Sequence, residues 1–82
     1  MPSTDQDRLE IFRELLVETG YVLEAERLDG QVSPRELGID SLTLLEMLML
    51  LDERTGVEIT TDEVDLDTSF AELASLLARK SA

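Results

Sequence analysis

The sequence lacks both cysteine and histidine. Without them the chain cannot form disulfides, thiol nucleophiles or zinc sites built from these residues, and no histidine can activate a hydroxyl nucleophile. The absence of cysteine, and therefore of disulfides, fits a reducing compartment, and we expect a cytoplasmic protein.

Positive charge is also scarce. Lys and Arg number 7 against 19 Asp and Glu, which gives a formal net charge of −12. This balance opposes binding to nucleic acids or anionic membranes, and it favours partners with basic surfaces. No apolar run approaches the roughly 18 to 20 residues of a membrane span, and residues 1–10 contain no targeting segment. We therefore expect neither a nucleic-acid partner nor a membrane association.

The length is sufficient for one domain over residues 1–82, with a modest core from a composition that is 43% hydrophobic. A domain of this size has little room to enclose a substrate and to hold several catalytic side chains rigidly. The composition therefore argues against a self-sufficient enzyme.

Capping residues and hydrophobic spacing predict three main helices. The first runs from an N-cap at Thr4 to a C-cap at Gly20, the second runs from Asp40 to Gly56, and the last begins at Ser69. A long loop at residues 21–38 contains a proline-led single turn, and a capping-box pattern at residues 60–63 predicts a short third helix. We therefore predict an all-α fold, a small four-helix bundle of three main helices and one short third helix.

The second predicted helix has two apolar faces. At about 100° per residue, one stripe has the geometry of a core face and comprises Leu44, Met47, Leu48 and Leu51. A second stripe, separated from the first by Ser41 and Asp52, comprises Leu42, Leu45 and Met49. Two interpretations remain open: a central helix packed by neighbours on nearly all sides, or a docking surface on which methionine adapts to several partners and acids attract basic ones.

Ser41 stands at the first position of this helix. A serine near a helix start is usually a capping residue, but Asp40 already provides the cap here. We therefore expect the Ser41 hydroxyl to face solvent at the positive end of the helix, where an attached phosphate is favoured. The chain has no histidine to activate this hydroxyl, so the activating chemistry must come from another protein.

The segment Leu-Gly-Ile-Asp-Ser-Leu at residues 37–42 resembles the signature of acyl carrier proteins, and the resemblance extends over nearly the whole chain. It implies that a phosphopantetheinyl transferase attaches 4′-phosphopantetheine from coenzyme A to Ser41, with Asp40 and Leu42 completing the motif. The thiol of this arm would then carry an acyl group as a thioester, while the carrier itself catalyses nothing.

The resemblance also implies a partner-recognition helix comprising Leu42, Leu45, Glu46, Met49, Asp52 and Glu53. The expected partners, besides the transferase, are acyl-loading, ketosynthase or acyltransferase-type enzymes with basic docking surfaces, and the carrier is expected to be a monomer. Ile59 matches an apolar residue that helps line the region where the arm or its cargo rests, although an isoleucine there also suits a core.

Several residues differ from the pattern of primary fatty-acid carriers. Thr43 replaces a common acid, Arg54 places a positive charge among the acids, and Thr60 stands where proline is frequent. These differences favour a stand-alone carrier of a polyketide or related specialised pathway. Peptidyl, aryl and fatty-acid carriers remain alternatives within the family.

A different class of function is an unmodified acidic helical module that binds other proteins. The net charge permits it, but it leaves the 37–42 segment without a purpose. A calcium loop at Asp62, Asp65 and Asp67 is disfavoured, because the EF-hand requires a glutamate at its twelfth position and leucine occupies the position reached from Asp62 or Asp65.

Overall fold

The computed structural model describes residues 4–20 and 28–81. Three α-helices form the described part of the chain: α1 (Thr4–Glu18), α2 (Ser41–Thr55) and α3 (Phe70–Ser81), with a short 3-10 helix (Arg35–Leu37) before α2. No strand occurs in these ranges, which confirms the all-α prediction. Residues 21–27 of the predicted loop and the predicted capping side chain of Thr4 lie outside what the structure describes.

The core forms where α1 packs against both α2 and α3. Phe12 of α1 and Phe70 of α3 meet at its centre, with ring centroids 6.3 Å apart and a tilt of 57° between the rings, a geometry favoured by aromatic pairs. The remaining buried side chains come from the helices and from the segments between them: Leu15, Leu16, Leu28, Ile39, Leu44, Met47, Leu48, Leu51, Val57, Ile59, Val64, Leu73, Ala74 and Leu77. The connecting segments are therefore fixed by burial.

Both ends of α2 agree with the predicted caps. The Asp40 carboxylate accepts a hydrogen bond from the Thr43 backbone N–H at 2.8 Å, which satisfies one of the N–H groups that the first turn leaves without a helical partner. At the other end, Gly56 adopts a left-handed conformation with φ of 76°, and its N–H donates to the Asp52 carbonyl. Glycine takes this conformation without the steric penalty of a Cβ.

The proline-led turn before α2 is also confirmed, as the 3-10 helix. The Ser33 hydroxyl accepts a hydrogen bond from the Glu36 N–H at 3.4 Å, and Gly38, with φ of 78°, donates its N–H to the Arg35 carbonyl. The Arg35 N–H itself donates to the carbonyl of Leu66 at 2.9 Å. This contact joins the segment before α2 to the segment before α3.

The predicted short third helix at residues 60–63 is wrong, because the structure has only a turn there. The capping pair does form, since the Glu63 carboxylate accepts a hydrogen bond from the Thr60 N–H at 2.9 Å. The helix does not continue, because the Asp65 N–H donates to the Thr68 hydroxyl at 3.0 Å and the Asp65 carboxylate accepts a hydrogen bond from the Asp67 N–H at 2.8 Å. A side chain that bonds to nearby backbone in this way competes with helix formation.

Lys80 holds this turn against the end of α3. Its ammonium donates to the Glu58 carbonyl at 2.8 Å and lies 2.6 Å from the Glu63 carboxylate. A cation in the last turn of a helix can interact with the dipole of that helix. Lys80 also crosses to the 58–63 segment and fixes it beside the end of α3.

Candidate functional site

Ser41 is exposed at the first position of α2, as the sequence predicted. Asp40 provides the cap, and within the described part of the chain the Ser41 hydroxyl has no hydrogen-bond partner. The side chain is therefore accessible to a second protein and stands at the positive end of the helix dipole.

The Asp40 carboxyl keeps its charge. The pKa of Asp40 is lowered, first by the hydrogen bond from the Thr43 backbone N–H and then by a further hydrogen bond from the Thr43 side chain. A carboxylate that is this easily ionised is a poor proton acceptor at neutral pH. Asp40 can orient the start of α2, but it is a weak general base for the activation of Ser41.

A cavity of about 450 Å³ opens beside Ser41, between α2 and the 61–66 segment. Its wall is mostly apolar with a few polar groups, and it comprises Arg35, Ser41, Leu44, Leu45, Thr61, Val64, Asp65 and Leu66. Sequence reasoning did not assign Arg35, Thr61, Val64 or Leu66 to the site. No local pattern could have done so, because the wall forms only when the segments before α2 and before α3 come together.

Arg35 is the basic side chain of this cavity. Its Nε donates to the Asp67 carboxylate at 2.7 Å, and its Nη2 makes a longer bond of 3.4 Å to the second carboxylate oxygen. The hydrogen bond to Asp67 and the charge of that residue raise the pKa of Arg35, so the guanidinium is always charged. Both side chains are largely exposed, and the pair is open to solvent and to salt.

The second apolar stripe of α2 is on the surface. Leu42, Leu45 and Met49 are 63%, 44% and 60% exposed, whereas all four residues of the predicted core stripe are buried. Of the two interpretations of this helix, packing on nearly all sides is therefore wrong. The acids of the predicted recognition helix are exposed as well: Glu46, Asp52 and Glu53.

A smaller cavity of about 220 Å³ lies further along α2. The wall again combines leucines and methionine of α2 with the following segment, and it comprises Leu45, Leu48, Met49, Asp52, Glu58, Ile59, Thr60 and Thr61. Ile59 is only 3% exposed and belongs to the core, yet it also forms part of this wall. Its burial confirms the core interpretation, and its contact with an arm or cargo stays a prediction.

Two of the residues that distinguish this chain from primary fatty-acid carriers have structural roles. Arg54 reaches across to α1, where its Nη2 donates to the Glu14 carboxylate at 2.9 Å. Thr60 provides the N–H that Glu63 caps. Arg54 therefore connects α2 to α1. Because its charge pairs with Glu14, it does not neutralise the exposed acids of α2.

Neither a metal site nor a membrane-spanning helix occurs in residues 4–20 and 28–81. No group of three or more acidic side chains in these ranges could hold a metal ion. No helix there combines the length and the apolar character needed to cross a bilayer.

The family model for the phosphopantetheine attachment site matches residues 10–77. Two similar proteins are an acyl carrier protein of Streptomyces coelicolor, 33% identical over 100% of this chain and 92% of the relative, and the mitochondrial acyl carrier protein of Dictyostelium discoideum, 37% identical over 73% of this chain and 54% of the relative. No solved structure matches the chain significantly.

Proposed function

Because the chain belongs to the acyl carrier proteins, which are carriers and not catalysts, we propose that Ser41 is the residue that receives the 4′-phosphopantetheine arm of this family. The observation that supports this proposal is the exposed Ser41 hydroxyl, which Asp40 leaves out of the helix cap. Asp40 and Leu42 flank it as the attachment motif, and the arm supplies a thiol that carries acyl groups as thioesters.

The residues around Ser41 fit such an arm. The hydroxyl stands at a helix N-terminus, where a negative phosphate is favoured, and the mostly apolar cavity beside it offers a surface for an uncharged chain. In the transfer, Ser41 Oγ bonds to the pantetheine-bearing phosphorus of coenzyme A. The P–O bond of the pyrophosphate bridge breaks, and adenosine 3′,5′-bisphosphate leaves with the electron pair of that bond. The proton of the hydroxyl goes to a base of the transferase, since Asp40 is a weak base for this step.

The exposed face of α2 is proposed as the docking surface for the transferase and for enzymes that load and extend the acyl group. Leu42, Leu45 and Met49 provide apolar contact area, and the acids beside them attract basic partners before contact. Those acids are Glu46, Asp52 and Glu53. Docking through this face needs no second copy of the chain, and we propose that the carrier works as a monomer.

The pathway proposed for this carrier is polyketide or related specialised biosynthesis. The support comes from Thr43, Arg54 and Thr60, which depart from the pattern of primary fatty-acid carriers. A polyketide-type ketosynthase should join its acyl group to the malonyl unit on this carrier, with release of carbon dioxide, faster than a fatty-acid-type ketosynthase does. The opposite order would favour primary fatty-acid synthesis.

The first experiment is intact-protein mass spectrometry after incubation with coenzyme A and a broad-specificity phosphopantetheinyl transferase. The wild type should gain the mass of one phosphopantetheine and Ser41→Ala should gain none. Ser75→Ala, an exposed serine of α3, is the matched control and should be modified like the wild type.

Circular dichroism of both variants should match the wild type, because neither substitution touches the core. Modification of the Ser41→Ala protein would show that the arm is attached elsewhere. A folded, previously unmodified wild type that gains no mass would make the acidic protein-interaction module the better hypothesis.

A further inference from the structure

We propose that Arg35 binds the phosphodiester that joins the arm to Ser41, and that it positions the arm at the mouth of the 450 Å³ cavity. This inference rests on the proposed modification of Ser41. It assigns Arg35 a role that the motif at residues 37–42 does not contain.

The first argument is location. Arg35 and Ser41 line the same cavity, and among the residues that the structure describes no other basic side chain contributes to its wall. The remaining wall offers apolar side chains, the Thr61 hydroxyl and the acidic Asp65. A negative group on Ser41 therefore has one cationic neighbour within this cavity.

The second argument is that the backbone of Arg35 is already fixed. Its N–H donates to the Leu66 carbonyl at 2.9 Å and its carbonyl accepts a hydrogen bond from Gly38 at 3.0 Å. The Asp67 carboxylate holds the end of the side chain at 2.7 Å. Ordering in advance lowers the entropy lost when a ligand is bound.

The third argument concerns hydrogen-bond capacity. A guanidinium has five N–H donors, and Asp67 accepts from Nε and from Nη2. Donors on Nη1 and the second donor on Nη2 remain for a phosphate oxygen. Arginine suits phosphate because its planar fork can donate two parallel bonds.

The fourth argument is charge. Asp40, Asp65 and Asp67 all lie close to the Ser41 end of α2 or to Arg35, in a chain whose net charge is −12. A phosphodiester adds a further negative charge at this point. Without a cation it would be repelled by these carboxylates, and Arg35 is the group that offsets them.

The test uses nuclear magnetic resonance on the unmodified and modified full chain. In the wild type, attachment of the arm should shift the Arg35 Nε–Hε resonance, and Arg35→Gln should shift the ³¹P resonance of the modified protein. Asp67→Asn should move the ³¹P resonance towards that of Arg35→Gln, because it weakens the contact that holds the guanidinium in place. Arg79→Gln removes an exposed arginine of α3 and should leave the ³¹P resonance unchanged.

Melting temperatures separate this role from a purely structural one. If Arg35 only pairs with Asp67, Arg35→Gln and Asp67→Asn will destabilise the unmodified and modified proteins equally and the ³¹P resonance will be the same in all variants. That result would overturn the inference. Should Arg35→Gln fail to fold, the Nε–Hε shift of the wild type and the Asp67→Asn spectra still decide the question.

The two proposals fail in different ways. The mass gain of the wild type is measured before any spectrum, so its absence rejects the modification of Ser41. A normal mass gain with an unmoved Arg35 resonance rejects only the role of Arg35.

Discussion

At the residue scale, Asp40 determines what Ser41 is able to do. Its carboxylate accepts the hydrogen bond from the Thr43 N–H and so caps the helix. The Ser41 hydroxyl is therefore not used as a cap and stays exposed beside a negative charge. The same bond lowers the pKa of Asp40. The charge of Asp40 therefore contributes to stability, and its contribution depends on pH.

We predict that Asp40→Asn lowers the melting temperature by a few degrees at pH 7, because asparagine still caps the helix but loses the interaction of the charge with the N–H groups. The folded-state pKa is lower than the unfolded one, so this contribution is complete above the unfolded pKa of about 4 and is lost as the pH falls through the folded value. Thermal melts between about pH 7 and pH 2 should show the two proteins converging at the acidic end.

Asp40→Ala is the control for the cap itself. It should be less stable than Asp40→Asn at every pH at which the protein folds, since alanine accepts no hydrogen bond. A difference between wild type and Asp40→Asn that does not change with pH would show that the charge of Asp40 has no part in the cap.

At the element scale, α2 performs two tasks on two faces, and two methionines provide a matched pair for separating them. Met47 is 1% exposed and Met49 is 60% exposed on the same helix. Their side chains are identical, so substitutions differ only in what surrounds them. The comparison therefore isolates the effect of the face.

We predict that Met47→Ala costs about 2–5 kcal/mol of stability through the cavity it leaves. Met49→Ala should change stability by no more than about 0.5 kcal/mol. Turnover with the transferase should show the reverse order: Met49→Ala lowers kcat/KM about fivefold or more, because exposed apolar anchors contribute most to docking, while Met47→Ala stays near the wild type at temperatures where it is folded.

Thermal melts and transferase kinetics on the two variants check this prediction. Normal kcat/KM for Met49→Ala together with a large loss of stability would place Met49 in the core and reject α2 as the docking element. Reduced kcat/KM in both variants, with both folded, would indicate that the whole helix and not one face governs the reaction.

At the scale of the whole molecule, 19 acidic residues face only 7 basic ones. Ion pairs that join separate segments within residues 4–20 and 28–81 include Arg35 to Asp67, Arg54 to Glu14 and Lys80 to Glu63. These pairs stabilise the fold at the surface, where each contributes little. The remaining acids repel one another in the compact state.

We predict that the melting temperature rises as NaCl is increased from about 10 mM to about 500 mM, because screening shortens the reach of this repulsion. An equal osmolality of a neutral solute is the control for effects other than charge. A fall in melting temperature with NaCl would mean that the three ion pairs outweigh the repulsion.

The features that the sequence determined by itself depend on interactions within one helical turn. The caps of α2 at Asp40 and Gly56 are set by residues three or four positions away. The division of α2 into two apolar stripes follows from the helical period, whereas the exposure of the second stripe was decided by the structure. The family signature at residues 37–42 is also local. These patterns were sufficient for the bundle class, for the exposure of Ser41 and for the two faces of α2.

The tertiary structure decided what depends on contacts between distant segments. The capping pair at Thr60 and Glu63 formed as predicted, but the bonds of Asp65 with Asp67 and Thr68 ended the expected helix. Arg35 lies beside Ser41 in one cavity and is held by Asp67, 32 positions away in sequence. No local pattern contains such a pairing, because it requires the segments before α2 and before α3 to pack first.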